Sequence, residues 1–183
     1  LRPIIAEKTE KVDFAEDNAP CDHEYELKGY CQEKNKKTIL AAAELLKKEF
    51  DIKEENIVEG LKNVVALTSL MGRWQKLSSA PLTIADTGHN VAGMQYIVSQ
   101  IADIKASAKR LVIGMVGDKD ITSMLKLLPK DAIYYFCNAQ IPRALPADEL
   151  KAKASEFGLK GNAYPSVAEA LEAAKCDASE NDF

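Results

Sequence analysis

Five consecutive residues, Asp86 to Asn90 (DTGHN), place a carboxylate, a glycine, an imidazole and an amide side by side. They follow a short apolar run, PLTIA, and precede a long helical pattern. A carboxylate at the end of a strand can accept both hydroxyls of a ribose, as acidic residues do in nucleotide-binding folds. It can equally cap a loop or the start of a helix, and both readings of Asp86 stand. His89 and Asn90 open the helical pattern, where backbone N–H groups and the helix dipole favour a phosphate or carboxylate. There an imidazole can donate to an anion and Asn90 can serve as N-cap. The plainer account is a capped helix with a surface histidine.

Two further segments carry cations. Gly72-Arg73 stands just before the PLTIA run, and a guanidinium there can clamp a phosphate through two hydrogen bonds. Gly114 to Asp120 (GMVGDKD) follows a second apolar run, with Lys119 within reach of a phosphate or simply solvated. Neither G-x-x-x-x-G-K-[ST] nor G-x-G-x-x-G occurs in the chain. With two histidines and no G-x-S-x-G, histidine metal clusters and serine triads have little material. Cys21, Cys31, Cys137 and Cys176 are scattered, without a C-x-x-C pair, and read as reduced structural thiols of a cytoplasmic protein.

From about residue 81, strand and helix patterns alternate and must position these groups. PLTIAD reads as a strand and NVAGMQYIVSQIADI as a helix with Val91, Met94, Ile97, Val98 and Ile101 on one face. RLVIGMVG is a continuous apolar run of the kind buried on both faces of a parallel sheet. DITSMLKLL is a helix halted by Pro129, AIYYFC a strand, and LPADELKAKASEF a helix opened by Pro146 with Asp148 and Glu149 in its first turn. GNAYP is a short strand, and SVAEALEAAK a helix with a Ser166–Glu169 capping box. Successive β-then-α units mean an α/β fold, Rossmann-like and doubly wound, with a mainly parallel sheet. Ligands of such sheets bind beyond the carboxyl ends of the strands, which is where Asp86 to Asn90 falls.

The first 70 residues are different. KNKKTILAAAELLKKEF predicts a helix with Ile39, Leu40, Ala43, Leu46 and Phe50 pointing inward, and a second helix runs from about Glu54 to Val65. Lacking strands to cover, they look like the tail of a preceding domain. Asp182-Phe183 reads as the first step of another strand, so the chain is expected to be a fragment cut at both ends. The net charge of −4 and pI near 5.3 argue against a nucleic-acid surface. No apolar run approaches the ~20 residues that span a bilayer, and the start LRPIIAEKTEK lacks a signal-peptide pattern.

Taken in order, GYCQEKN (Gly29 to Asn35), GRWQ (Gly72 to Gln75), PLTIADTGHN, GMVGDKD and QIPRAL (Gln140 to Leu145) resemble one family. They are similar to the C-terminal half of folylpolyglutamate synthase / dihydrofolate synthase, a branch of the Mur ligases. The resemblance runs from about Gly29 to the end. It implies residues 1–70 as the remnant of a central ATPase domain. Residues 71–183 would be the C-terminal ligase domain without its last strand.

It also implies ATP-dependent amide ligation with Mg2+. The terminal carboxylate of a folate or dihydropteroate is phosphorylated, and the amine of L-glutamate attacks the acyl phosphate. Carried over residue by residue, Asn35 would contact adenine, Arg73 the distal phosphates and Asp86 the ribose. His89 would lie near the phosphates or the incoming glutamate, with Asn90 completing the motif. Lys119 and Arg143 match family positions without an assigned contact. Arg73 and His89 are thus the expected catalytic residues, in a cytoplasmic monomer without membrane or nucleic-acid partners.

This chain departs from the family pattern at Thr87-Gly88, where the motif places glycine then alanine. The resemblance assigns the phosphate loop, the magnesium ligands and the pterin pocket to upstream sequence, so the isolated chain is expected to be inactive. Competing readings are another Mur-type amino-acid ligase, a non-catalytic nucleotide-binding module, and an interaction domain whose polar residues only cap and turn.

Overall fold

The structure, a computed structural model, describes residues 14–17, 22–117 and 120–183. The chain divides into two compact units, Leu1–Arg73 and Trp74–Phe183.

In the first unit a 3-10 turn (Ala15–Asp17) precedes helices α1 (Gln32–Leu46), α2 (Glu54–Lys62) and α3 (Val64–Thr68). Their small core joins Tyr25, Leu27, Ile57 and Leu61, with Leu40, Ala43 and Val65 against it. The inward set expected for the first helix is only partly so. Leu40 and Ala43 pack, but Ile39, Leu46 and Phe50 are exposed, Phe50 by 61%. Helical spacing shows which side chains share a face, not whether anything in the same unit covers it. The second predicted helix is two, broken at Asn63, whose side chain turns back to the Glu59 carbonyl at 3.2 Å.

The second unit begins with an antiparallel hairpin, β1 (Gln75–Ser79) and β2 (Leu82–Ala85), joined through a cis Ala80–Pro81 bond. Helix α4 (Val91–Asp103) leads to β3 (Arg110–Ile113), and α5 (Ile121–Leu127) to β4 (Ile133–Cys137). Helix α6 (Ala147–Ser155), β5 (Lys160–Tyr164) and α7 (Val167–Asp177) complete it. Strands β3, β4 and β5 form a parallel sheet in that order. The expectation that the PLTIA strand opens this sheet needs correcting: among the described residues its ladder is with β1. The polar QKLSS gave no apolar signal for that edge strand, and a backbone ladder requires none.

Both faces of the parallel sheet are covered. Met94, Met124, Leu125 and Leu150 pack with Tyr134 and Phe136 on one side. On the other, Ala170 and Ala174 of α7 pack with Tyr135 and Cys137. This is the doubly wound arrangement, and β4 lies at its centre with Tyr134 to Cys137 at most 2% exposed. The helix that Pro129 was expected to halt ends at Leu127, and the Pro129 carbonyl accepts the Tyr134 hydroxyl at 2.6 Å. The expected caps form, Asn90 and Ser166 accepting the backbone N–H groups of Gly93 and Glu169, and Asp120 accepts that of Ser123 in the same way. The Cys137 thiol is buried, which pushes its pKa up and keeps it from reacting as a thiolate. Cys31, Cys137 and Cys176 are free thiols; Cys21 lies outside the described residues.

A polar network ties the chain's last residues to the sheet. Arg110 Nε donates to Asp182 Oδ2 at 3.0 Å and Arg110 Nη1 to the Tyr135 hydroxyl at 3.0 Å. The Tyr135 hydroxyl in turn donates to Asp177 at 2.7 Å. Hydrogen bonds from the Ser179 backbone, then the Arg110 guanidinium, hold the Asp182 carboxyl below the usual range. A folded-state pKa below the unfolded one stabilises above the ordinary carboxylate pKa of about 4, and that contribution disappears as pH falls through the lower folded value. We therefore expect Asp182→Asn to lower the thermal midpoint at pH 7 and to flatten its fall below about pH 4. Thermal scans of both proteins from pH 6 to pH 2.5 check this.

Candidate functional site

The DTGHN segment is built around Asp86. Its Oδ1 accepts the Gly88 N–H at 2.8 Å, closing a tight turn, and its Oδ2 accepts the Trp74 N–H at 2.7 Å. Trp74 has φ of +51°, in the left-handed region that costs a side-chain-bearing residue roughly 1–2 kcal/mol. The Asp86 carboxylate thus fastens the entry of β1 to the exit of β2. Sequence reading missed this role, because nothing local pairs two residues twelve apart. An exposed carboxylate with two acceptances made retains lone pairs for two more, so the ribose reading and the loop-tying reading are compatible.

Gly88 packs close to α4, against the flexible end of the Ile97 side chain. A Cβ there would strike the Cδ1 of Ile97 and lie 3.3 Å from Asp86 Oδ1.

Asn90 is the N-cap of α4: its Oδ1 takes the Gly93 N–H at 2.7 Å. The first N–H groups of this thirteen-residue helix have no acceptor inside it. The His89 ring is exposed, with Nδ1 3.3 Å from the Thr87 carbonyl. A carbonyl only accepts, so Nδ1 carries the proton in that contact. Nε2 then accepts in the neutral ring and donates to an anion only in the imidazolium.

Asp86, Gly88 and His89 border a cleft of about 640 Å³ in the second unit, whose walls are mainly β2, β3 and α4. Asn35 and Arg73 line a different hollow, of about 700 Å³, in the first unit, with Gln32, Asn56 and Leu61. There Asn35 Nδ2 donates to Gln32 Oε1 at 2.9 Å, within the Q-x-x-N spacing. The structure thus groups Asn35 with Arg73, and Asp86 with His89. Arg143 is exposed, and its carbonyl accepts the Gly117 N–H at 3.1 Å. Lys119 lies outside the described residues. Among the described residues no group of three or more His, Cys, Asp or Glu is placed to hold a metal. Nor is any described helix long and apolar enough to cross a membrane.

Residues 72–183 match the profile of the Mur ligase, glutamate ligase domain. The chain belongs to the Mur ligase family. Across 150 residues, 81% of this chain and 33% of the relative, it is 31% identical to the dihydrofolate synthase/folylpolyglutamate synthase of Escherichia coli (strain K12). Among solved structures, E. coli FolC in complex with DHPP and ADP superposes with a TM-score of 0.68 at 28% identity, covering 91% of this chain and 36% of that one. The bifunctional folylpolyglutamate synthase/dihydrofolate synthase of Yersinia pestis, solved with AMPPNP and Mn ion, gives a TM-score of 0.62 at 30% identity, covering 80% and 34%. The chain spans about a third of the length of these relatives. The DTGHN loop and the β3–β4–β5 sheet both lie within this glutamate ligase domain.

Proposed function

We propose that this Mur ligase chain is the C-terminal part of an ATP-dependent folylpolyglutamate synthase / dihydrofolate synthase. Residues 1–70 are then the remnant of the central ATPase domain, and 71–183 the glutamate ligase domain. The reaction joins L-glutamate to the carboxylate of a folate or dihydropteroate in the cytoplasm, in a monomeric enzyme. The carboxylate takes the γ-phosphoryl group of ATP, the glutamate nitrogen attacks that carbonyl carbon, and phosphate leaves. The observation that carries the reading is Asp86, pinned by two backbone N–H groups at the start of a capped helix in a matched ligase domain.

In this reading Asp86 accepts from the ribose hydroxyls while its fixed orientation is supplied by Trp74 and Gly88. His89 and the first turn of α4 offer donors to phosphate or to the glutamate carboxylate. Asn35 meets the adenine, and Arg73 neutralises the distal phosphates. Asn90 keeps the helix start in place. The described residues supply no carboxylate cluster for magnesium, so no step is assigned to a metal here.

Titration of ATP and 2′-deoxy-ATP into the full-length protein tests the site. We expect Asp86→Ala to weaken ATP binding about ten- to a hundredfold, the worth of one or two hydrogen bonds to a charged group. The unmutated protein should prefer ATP over the 2′-deoxy form, and the variant should not. Unchanged affinity together with unchanged turnover would return Asp86 to a loop tie alone.

A further inference from the structure

The hollow that holds Asn35 and Arg73 has a buried amide in its wall, Gln32, which is 5% exposed. Apolar side chains of the same hollow, Leu27, Ile57 and Leu61, suit the faces of a planar ring but carry no information about its edge. The edge is a matter for the polar groups.

A buried amide costs stability unless its polar atoms are hydrogen-bonded. Gln32 Nε2 donates to Cys31 Sγ at 3.6 Å, and Gln32 Oε1 accepts from Asn35 Nδ2 at 2.9 Å. Asn35 follows Gln32 by three residues within α1, so the two share a helix face. Turning the Asn35 amide over would set its oxygen against Gln32 Oε1, two acceptors with no proton between them. Turning Gln32 over instead would set two NH2 groups against each other. The orientation of the exposed Asn35 amide is therefore held by a buried neighbour. With its nitrogen committed to Gln32, Asn35 keeps one N–H and an oxygen that accepts nothing from the described residues.

We propose that Gln32 is a positioning residue for nucleobase choice. By holding the Asn35 oxygen available to the hollow, it makes the site select a 6-aminopurine over a 6-oxopurine. An asparagine reads adenine by accepting from the 6-amino group and donating to a ring nitrogen. Hypoxanthine carries an oxygen where that amino group stands, so two acceptors meet. The inference rests on the ligase reading, which puts the adenine of ATP in this hollow, and adds the group that decides which purine enters.

The test is calorimetric titration of ATP and inosine triphosphate (ITP) into the full-length protein, unmutated and as Gln32→Met, Gln32→Glu and Asn35→Ala. The unmutated protein is expected to favour ATP about ten- to a hundredfold, the usual worth of one well-paired base contact. Gln32→Met has similar length but no acceptor, and it frees the Asn35 amide to turn its NH2 group to the 6-oxygen. The preference should then fall to about threefold or less, chiefly through tighter ITP binding, since an amide oriented correctly half the time costs ATP only about twofold. Gln32→Glu keeps an acceptor opposite Asn35 and should keep the preference. A ratio of two affinities does not depend on how much of a variant is folded, so partial misfolding leaves the result readable. A merely structural Gln32 would lower the thermal midpoint of Gln32→Met and leave the ratio unchanged, which overturns the proposal. An unmutated protein that does not favour ATP overturns it too. If Asn35→Ala binds ATP as tightly as the unmutated protein, the base is elsewhere, and the adenine placement falls together with the proposal. If Asn35→Ala weakens ATP binding while Gln32→Met keeps the ratio, the placement stands and the proposal alone fails.

Discussion

Gly161→Ala is expected to destabilise the second unit by about 3 kcal/mol or more, the upper range for inserting atoms where nothing can give way. Gly161 lies in β5 opposite Tyr134 of β4, and a Cβ built there falls on the Tyr134 backbone carbonyl. A flexible side chain could swing aside, but a ladder carbonyl cannot move without breaking the β4–β5 pairing. Tyr134 is itself 1% exposed, and its hydroxyl is committed to Pro129, so the strand has no slack to take up. Against a typical total stability of about 5–15 kcal/mol, such a loss lowers the thermal midpoint by roughly 10–20 °C. Urea unfolding of the variant and its parent measures it. A loss under about 1 kcal/mol would mean that β5 shifts freely and that the parallel pairing is loose.

The second large effect concerns chemistry. Under the proposed ligase reading, Arg73→Ala in the full-length protein is expected to lower kcat about a hundred- to a thousandfold, the usual result of removing one preorganised charge-stabilising donor. Arg73 lies between Gly72, at φ +69°, and Trp74, at φ +51°, and the Trp74 N–H is held by Asp86. Trp74 is thus held in a conformation that side-chain-bearing residues rarely adopt. Arg73→Lys should recover only part of the rate, because an ammonium keeps the charge but loses the planar fork that grips phosphate at two points. Steady-state kinetics with saturating ATP and glutamate would distinguish the cases. A kcat equal to that of the unmutated enzyme in Arg73→Ala would remove Arg73 from the proposed machinery.

Much of this was readable before any coordinates. The face of α4 is an example: Met94 and Ile101 are buried, and Val91, Ile97 and Val98 pack against the core that holds Met94. Caps were equally plain, because Asn90 and Ser166 bond to residues three positions on. Strand β4 was visible as a fully apolar run and Cys137 as a core thiol. The inward face of α1 was not, since Ile39, Leu46 and Phe50 share its apolar pattern yet remain exposed in their unit. Strand β1 was hidden for the opposite reason, as a polar segment held by backbone bonds to β2.

Local chemistry therefore determined the elements, their caps and the family to which the ordered motifs point, because periodicity, capping and short motifs depend on residues a few positions apart. Tertiary structure alone decided the antiparallel partner of β2, the clasp between Asp86 and Trp74, and the capture of Asp182-Phe183 by Arg110 and β3. The clasp and the capture join residues twelve or more positions apart, and all three rest on backbone groups or single charged side chains. Every residue carries the same backbone donors and acceptors, so their pairing is settled only when the whole chain packs.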